Sequence, residues 1–125
     1  LGILPQTEKK FTFKGKKLIE RNKILKDAKL LENAGAFSIV LECIESNLSK
    51  KITNELKIPT IGIGSSANCD GQVLVIDDLI GLNKSKLRFV KKYANVSQTI
   101  NLAVKKFRSD VLKKKFPTAK HSFKN

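Results

Sequence analysis

The chain contains no methionine and no tryptophan, one tyrosine, one histidine and two cysteines among 125 residues. Each scarcity excludes something. A complete translated chain begins with methionine, so Leu1 is expected to be internal to a longer protein. Cys43 and Cys69 stand in unrelated contexts, with no C-x-x-C pair and no disulfide framework, which points to a reducing, cytoplasmic setting. Tyr93 and the phenylalanines form no RNP-like aromatic strand on which bases could stack. No apolar run approaches the roughly 18 residues of a membrane span, and Pro5, Gln6 and Lys9 break any leader-like stretch at the start. Acidic residues are also few, 11 against 25 lysines and arginines, for a net charge of +14.

That charge raises nucleic acid as a partner, because clustered cations gain affinity by releasing counterions from phosphates. The pattern argues against specific binding. Nearly all the cations are lysines spread over every expected helix, and only Arg21, Arg88 and Arg108 carry the planar fork suited to bases and phosphates. With 41% hydrophobic and 29% charged residues the chain reads as globular, and its length fits one ordinary domain.

Residues 1–16 read as a loop with a brief extended piece around Phe11 and Phe13. Helical spacing of Leu18, Ile19, Ile24, Leu25, Ala28, Leu30 and Leu31 predicts a helix from Lys17 that stops at Ala34-Gly35. The apolar run 37–41 reads as a strand buried on both faces, ending at Glu42. Ser46 is the expected N-cap of a helix running to about Leu56, with Leu48, Ile52 and Leu56 four apart and Pro59 as the stop. Residues 60–63 and 72–76 read as two further strands. Helical patterns resume over 86–93 and from Ser97 to about Lys114, where Ile100, Val104, Phe107 and Val111 mark an inner face, and the tail from Pro117 has no periodicity. The expected organisation is one domain over residues 1–125: loop 1–16, βα units 17–82, C-terminal helices 83–116 and tail 117–125.

Apolar strands alternating with helices imply an α/β fold with a helix-covered parallel sheet, either a βα barrel, a piece of one, or a small doubly wound sheet. Within it, residues 62–67 spell G-x-G-x-x-A. A dinucleotide fingerprint needs its last small residue to open a helix, yet Asp70-Gly71 and a strand follow here. The motif is therefore chance. A phosphate cradle donated by Ser65 and Ser66 lacks the lysine of a P-loop. In βα barrels the chemistry lies at the strand ends, which puts Glu42 and the 62–70 loop on one rim.

Several segments, in order, carry a family resemblance: Ala34-Gly-Ala36, Val40-Leu-Glu-Cys43, Ile58-Pro-Thr-Ile-Gly-Ile-Gly64, Cys69-Asp-Gly-Gln-Val-Leu-Val75, Gly81-Leu82, Phe116-Pro117 and His121-Ser-Phe123. Together they resemble the C-terminal part of ketopantoate hydroxymethyltransferase. The resemblance implies the C-terminal half of a (βα)8 TIM barrel with C-terminal helices. It implies transfer of a hydroxymethyl group from methylenetetrahydrofolate to 3-methyl-2-oxobutanoate, with Mg2+ gripping the oxo acid and Glu42 as the catalytic base. The magnesium ligands and a substrate-contacting histidine are expected in an N-terminal half that precedes Leu1, so the 125 residues alone are expected to be inactive. Homo-oligomers are implied as well.

Leu4, Glu45, the Ser65-Ser66 pair and Asp77 depart from the family's usual residues, and none of them touches the role of Glu42. His121 reads as structural, Cys43 and Cys69 as small hydrophobes without a partner base, and Asp70, Asp77 and Asp78 as turn residues rather than a metal cluster. Two other readings stay open: a basic module that binds nucleic acid or an anionic surface, and a phosphate-binding half-barrel that works as a homodimer.

Overall fold

A computed structural model describes residues 1–3, 12–84 and 86–123. Leu4, Pro5, Gln6, Lys9 and Phe11, and with them most of the expected loop, lie outside the described residues. The chain divides into two compact units, Leu1–Val75 with Lys86–Val90, and Ile76–Ser85 with Lys91–Asn125.

The first unit begins its regular structure with α1, Leu18–Asn33. The helix buries Ile24 and Ala28, while Leu18 and Ile19 at its start stay exposed. It stops where expected: Gly35 takes a φ of +93°, and the N–H groups of Ala34, Gly35 and Ala36 return to the carbonyls of Leu30, Glu32 and Leu31. Strand β1, Ile39–Glu42, follows, then α2, Ser46–Glu55, β2, Thr60–Ile63, and a two-residue β3, Gly71–Gln72. The strands lie in the order β1-β2-β3, all parallel. Along the free edge of β1 runs residue Gly2, bridged in parallel to Glu42, with the Glu42 N–H donating to the Leu1 carbonyl (2.8 Å) and the Ile3 N–H to the Glu42 carbonyl (3.0 Å).

The core lies between this sheet and its helices. Ile39 and Leu41 of β1 pack with Ile24, Ala28, Leu48 and Ile52, so alternation turns Val40 and Glu42 to the opposite sheet face. Among the described residues helices cover one face of the sheet, and Val40 on the other is 45% exposed. Thr60, on the helix side of β2, is tied to α2 through a 2.8 Å hydroxyl contact with Thr53.

Other expectations also change. The N-cap of α2 is Glu45, not Ser46, because its carboxylate reaches the N–H groups of Asn47 (2.9 Å) and Leu48 (3.0 Å). The strand expected over 72–76 shortens to β3, and only the Val73 N–H continues toward Gly62 (3.0 Å). Residues 86–93 form no helix; the Val90 N–H closes a turn on the Leu87 carbonyl (3.0 Å). On such a helix Arg88 would stand three and four residues before Lys91 and Lys92, placing like charges side by side, which disfavours it.

The second unit holds a short α3, Ile76–Leu79, the longer α4, Val96–Leu112, and a 3-10 turn, Ala119–His121. Asp77 and Asp78 in its first turn suit the start of α3, since carboxylates are favoured at helix N-termini. The Asn95 side chain caps α4 by accepting from the Gln98 N–H. The stripe Ile100, Val104, Phe107 and Val111, expected to face inward, is 43–59% exposed, and no residue of α4 is buried. Among the described residues no helix is long and apolar enough to cross a membrane.

Candidate active site

Parallel strands deliver their C-terminal ends to one side of a sheet, and here that side is built from two loops. Glu42, the last residue of β1, stands in register with Ile63, the last of β2. Immediately after it Cys43 adopts φ +51°, uncommon for a residue with a side chain. The turn drops Ile44 into the core at 1% exposure and launches α2 within two residues. Lys14, bridged to Ile44, holds this corner, its N–H donating to the Cys43 carbonyl at 2.8 Å. The structure thus brings together the two features expected on one rim, Glu42 and the loop after β2.

Beside them opens a hollow of about 800 Å³, lined by residues 43–46 and 64–67 together with Phe13, Gln72, Arg88 and Phe89. Gly64 sits at φ +61° with the Phe89 ring against it, so that a β-carbon there would come within 2.7 Å of the ring. Among charged groups at the wall, Glu45 is neutralised. Its carboxylate accepts from backbone N–H groups, Asn47 first, and pairs with Arg21 at 2.7 Å, which together hold it below the usual carboxylate range. The Cys43 thiol is pushed up by burial and then by the charge of Glu42, so it stays protonated and is a poor nucleophile.

The loop's polar groups serve the fold. Ser65 donates to the Ile44 carbonyl (3.2 Å) and shares a 2.5 Å contact with the Ser49 hydroxyl. Ser66 accepts from Ser46 (3.3 Å) and from the backbone and side chain of Asn68. The Ser65 hydroxyl is thereby committed to the Ile44 carbonyl, whereas Ser66 acts only as an acceptor in these bonds. Asp70 accepts from the Thr60 N–H (2.8 Å) and hydroxyl (3.1 Å), and the first of these chiefly keeps its carboxyl ionised to lower pH. Asp77, Asp78 and His121 belong to the second unit, where the Asn83 amide donates to Asp78 and the His121 ring nitrogen meets the Thr118 hydroxyl at 2.7 Å. Among the described residues no group of three or more His, Cys, Asp or Glu side chains could hold a metal ion.

Sequence reasoning missed the Arg21–Glu45 pair, the Gln72 amide that braces the Ser66 carbonyl (2.7 Å), and the aromatic wall of Phe13 and Phe89. An acidic residue just ahead of an amphipathic pattern could have suggested the Glu45 cap. Partners 24 residues apart leave no local signal.

A parallel α/β sheet with a strand-end carboxylate and a hollow at its C-terminal rim places the chain among α/β proteins whose candidate site lies where the strands end. Comparison with known proteins makes this specific. The ketopantoate hydroxymethyltransferase family model matches residues 1–119, and the chain belongs to that family. It is similar to proteins named 3-methyl-2-oxobutanoate hydroxymethyltransferase from Pelagibacter ubique (63% identity over 98% of this chain and 48% of the relative), Syntrophus aciditrophicus (47%, over 98% and 47%) and Carboxydothermus hydrogenoformans (46%, over 98% and 46%). The chain spans about half the length of these relatives.

Proposed function

We propose that this chain supplies the C-terminal half of a (βα)8-barrel enzyme that moves a hydroxymethyl group from methylenetetrahydrofolate to 3-methyl-2-oxobutanoate, forming ketopantoate for pantothenate synthesis. One observation carries the reading. In a chain of this family, Glu42 ends a parallel strand beside a roomy hollow, on the sheet face that the helices leave uncovered.

Glu42 is the base. It takes the proton from the carbon next to the keto group, and the electron pair of that C–H bond becomes the enolate. This carbon forms the new bond to the one-carbon unit. Water supplies the hydroxyl as both bonds from that unit to nitrogen break, and tetrahydrofolate leaves with one proton from the oxo acid and one from water. Magnesium, when bound, supplies polarisation of the keto oxygen. The described residues do not form a site for it, so we assign its ligands to the part of the family's length that this chain does not span. Assembly as a homo-oligomer and residence in the cytoplasm belong to the same proposal.

The test uses protein expressed from the complete reading frame, supplied with both substrates and magnesium. Ketopantoate should form, and Glu42→Gln should lower kcat by about 10²–10⁴-fold in a folded protein, the usual contribution of a positioned base. A wild-type protein that forms none, or a Glu42→Gln variant at the wild-type rate, would refute the proposal.

A further inference from the structure

The hollow at the rim is chemically lopsided, and the imbalance describes its ligand. Among the described residues that line it, the one carboxylate, Glu45, is consumed by the α2 cap and by Arg21. Arg88, also at the wall, has neither a hydrogen bond nor an ion pair among the described residues. Among the described residues the remaining charge of the wall is therefore positive. Opposite charge is not the only demand, because Phe13 and Phe89 also line the space, and the absence of a side chain at Gly64 lets the Phe89 ring lie directly on the loop after β2. Aromatic walls favour flat rings, which stack offset or edge-on against them.

We infer that this hollow receives the one-carbon donor, with the pteridine and aminobenzoyl rings against Phe13 and Phe89 and a carboxylate of the glutamyl tail on Arg88. The inference rests on the transferase reading above and assigns a place to its second substrate. Arg88 is a binding residue with no part in the proton transfer. An arginine suits the task because its planar fork matches a carboxylate with two parallel hydrogen bonds, which lysine cannot do.

The experiment again uses protein from the complete reading frame, with two readouts: binding of tetrahydrofolate alone, followed by calorimetry, and steady-state kinetics varying each substrate in turn. Arg88→Ala should weaken tetrahydrofolate binding and raise the KM for methylenetetrahydrofolate about tenfold, the loss expected for one charge-assisted contact near solvent. Arg88→Lys should recover only part of it, and the KM for the oxo acid should move far less. Circular dichroism confirms that the variants fold, and Phe89→Leu, which keeps apolar volume but removes the ring, provides a second, charge-neutral probe with the same expected direction. If Arg88→Ala raises the KM of the oxo acid instead, the hollow belongs to that substrate and the inference is wrong. Wild-type behaviour of both variants also overturns it, even while transferase activity stands. Arg88-dependent tetrahydrofolate binding by a protein that makes no ketopantoate would uphold the binding site and refute the transferase reading.

Discussion

Glu42 owes its position to backbone on both sides: its N–H and carbonyl pair with residues 1 and 3, and its strand pairs with β2 in register at Ile63. Gly2 makes the first contact possible. At φ +100° it lies so close to the Glu42 carbonyl that a β-carbon would overlap the oxygen. Gly2→Ala should therefore destabilise the protein by more than about 1 kcal/mol, since the strained φ and the clash act together, and should lower activity by loosening the strand that carries the base. A denaturant midpoint unchanged from wild type would contradict this. The strand-end position of Glu42 was legible, because a carboxylate closing an apolar run is visible in one dimension, while its role as base belongs to the proposal. Cys43 was legible only as a buried small residue. Its left-handed turn was not, because nothing in the local sequence demands φ > 0 at a cysteine.

Helix α2 shows how a cap can be shared between local and distant partners. Glu45 accepts from two N–H groups of the first turn and pairs with Arg21 of α1, joining two helices at the rim. Glu45→Ala should cost about 1 kcal/mol, the usual worth of an N-cap. The pH dependence has a definite sign: the folded carboxyl is held below its unfolded pKa, so its contribution is present above the unfolded value and is lost as pH falls through the folded one. Urea titrations of Glu45→Gln and wild type should differ at neutral pH and converge in acid. A constant gap at every pH would show that the charge of Glu45 contributes nothing.

Helices α1, α2 and α4 were legible from sequence to within a few residues, as were β1 and β2. The third strand and the helix expected over 86–93 were not. Strand length depends on a neighbour to pair with, and β3 bonds for only two residues; the lysine-rich segment has helix-like apolar spacing but like charges that oppose the helix.

The first unit as described carries a parallel sheet, β1, β2 and β3 with Gly2 bridged to the edge of β1, with helices on one face and Val40, Glu42, Ile61 and Ile63 on the other. The order of strands and helices was enough to predict an α/β fold with a parallel sheet. What covers the second face could not be read from 125 residues that span about half the length of their relatives. The net charge of +14, the most conspicuous property of the composition, proved a poor guide to the site. At the rim, the useful information was an arginine without a partner among the described residues and one carboxylate at a strand end.

The most direct measurement follows the proton that Glu42 is proposed to take. Protein from the complete reading frame, given 3-methyl-2-oxobutanoate and magnesium in D₂O without the folate donor, should exchange the hydrogen on the carbon beside the keto group, seen by NMR as collapse of the methyl doublet. Glu42→Gln should slow that exchange by about 10²–10⁴-fold while the oxo acid still binds. Exchange at the wild-type rate in the variant would mean that another group is the base and would contradict the account.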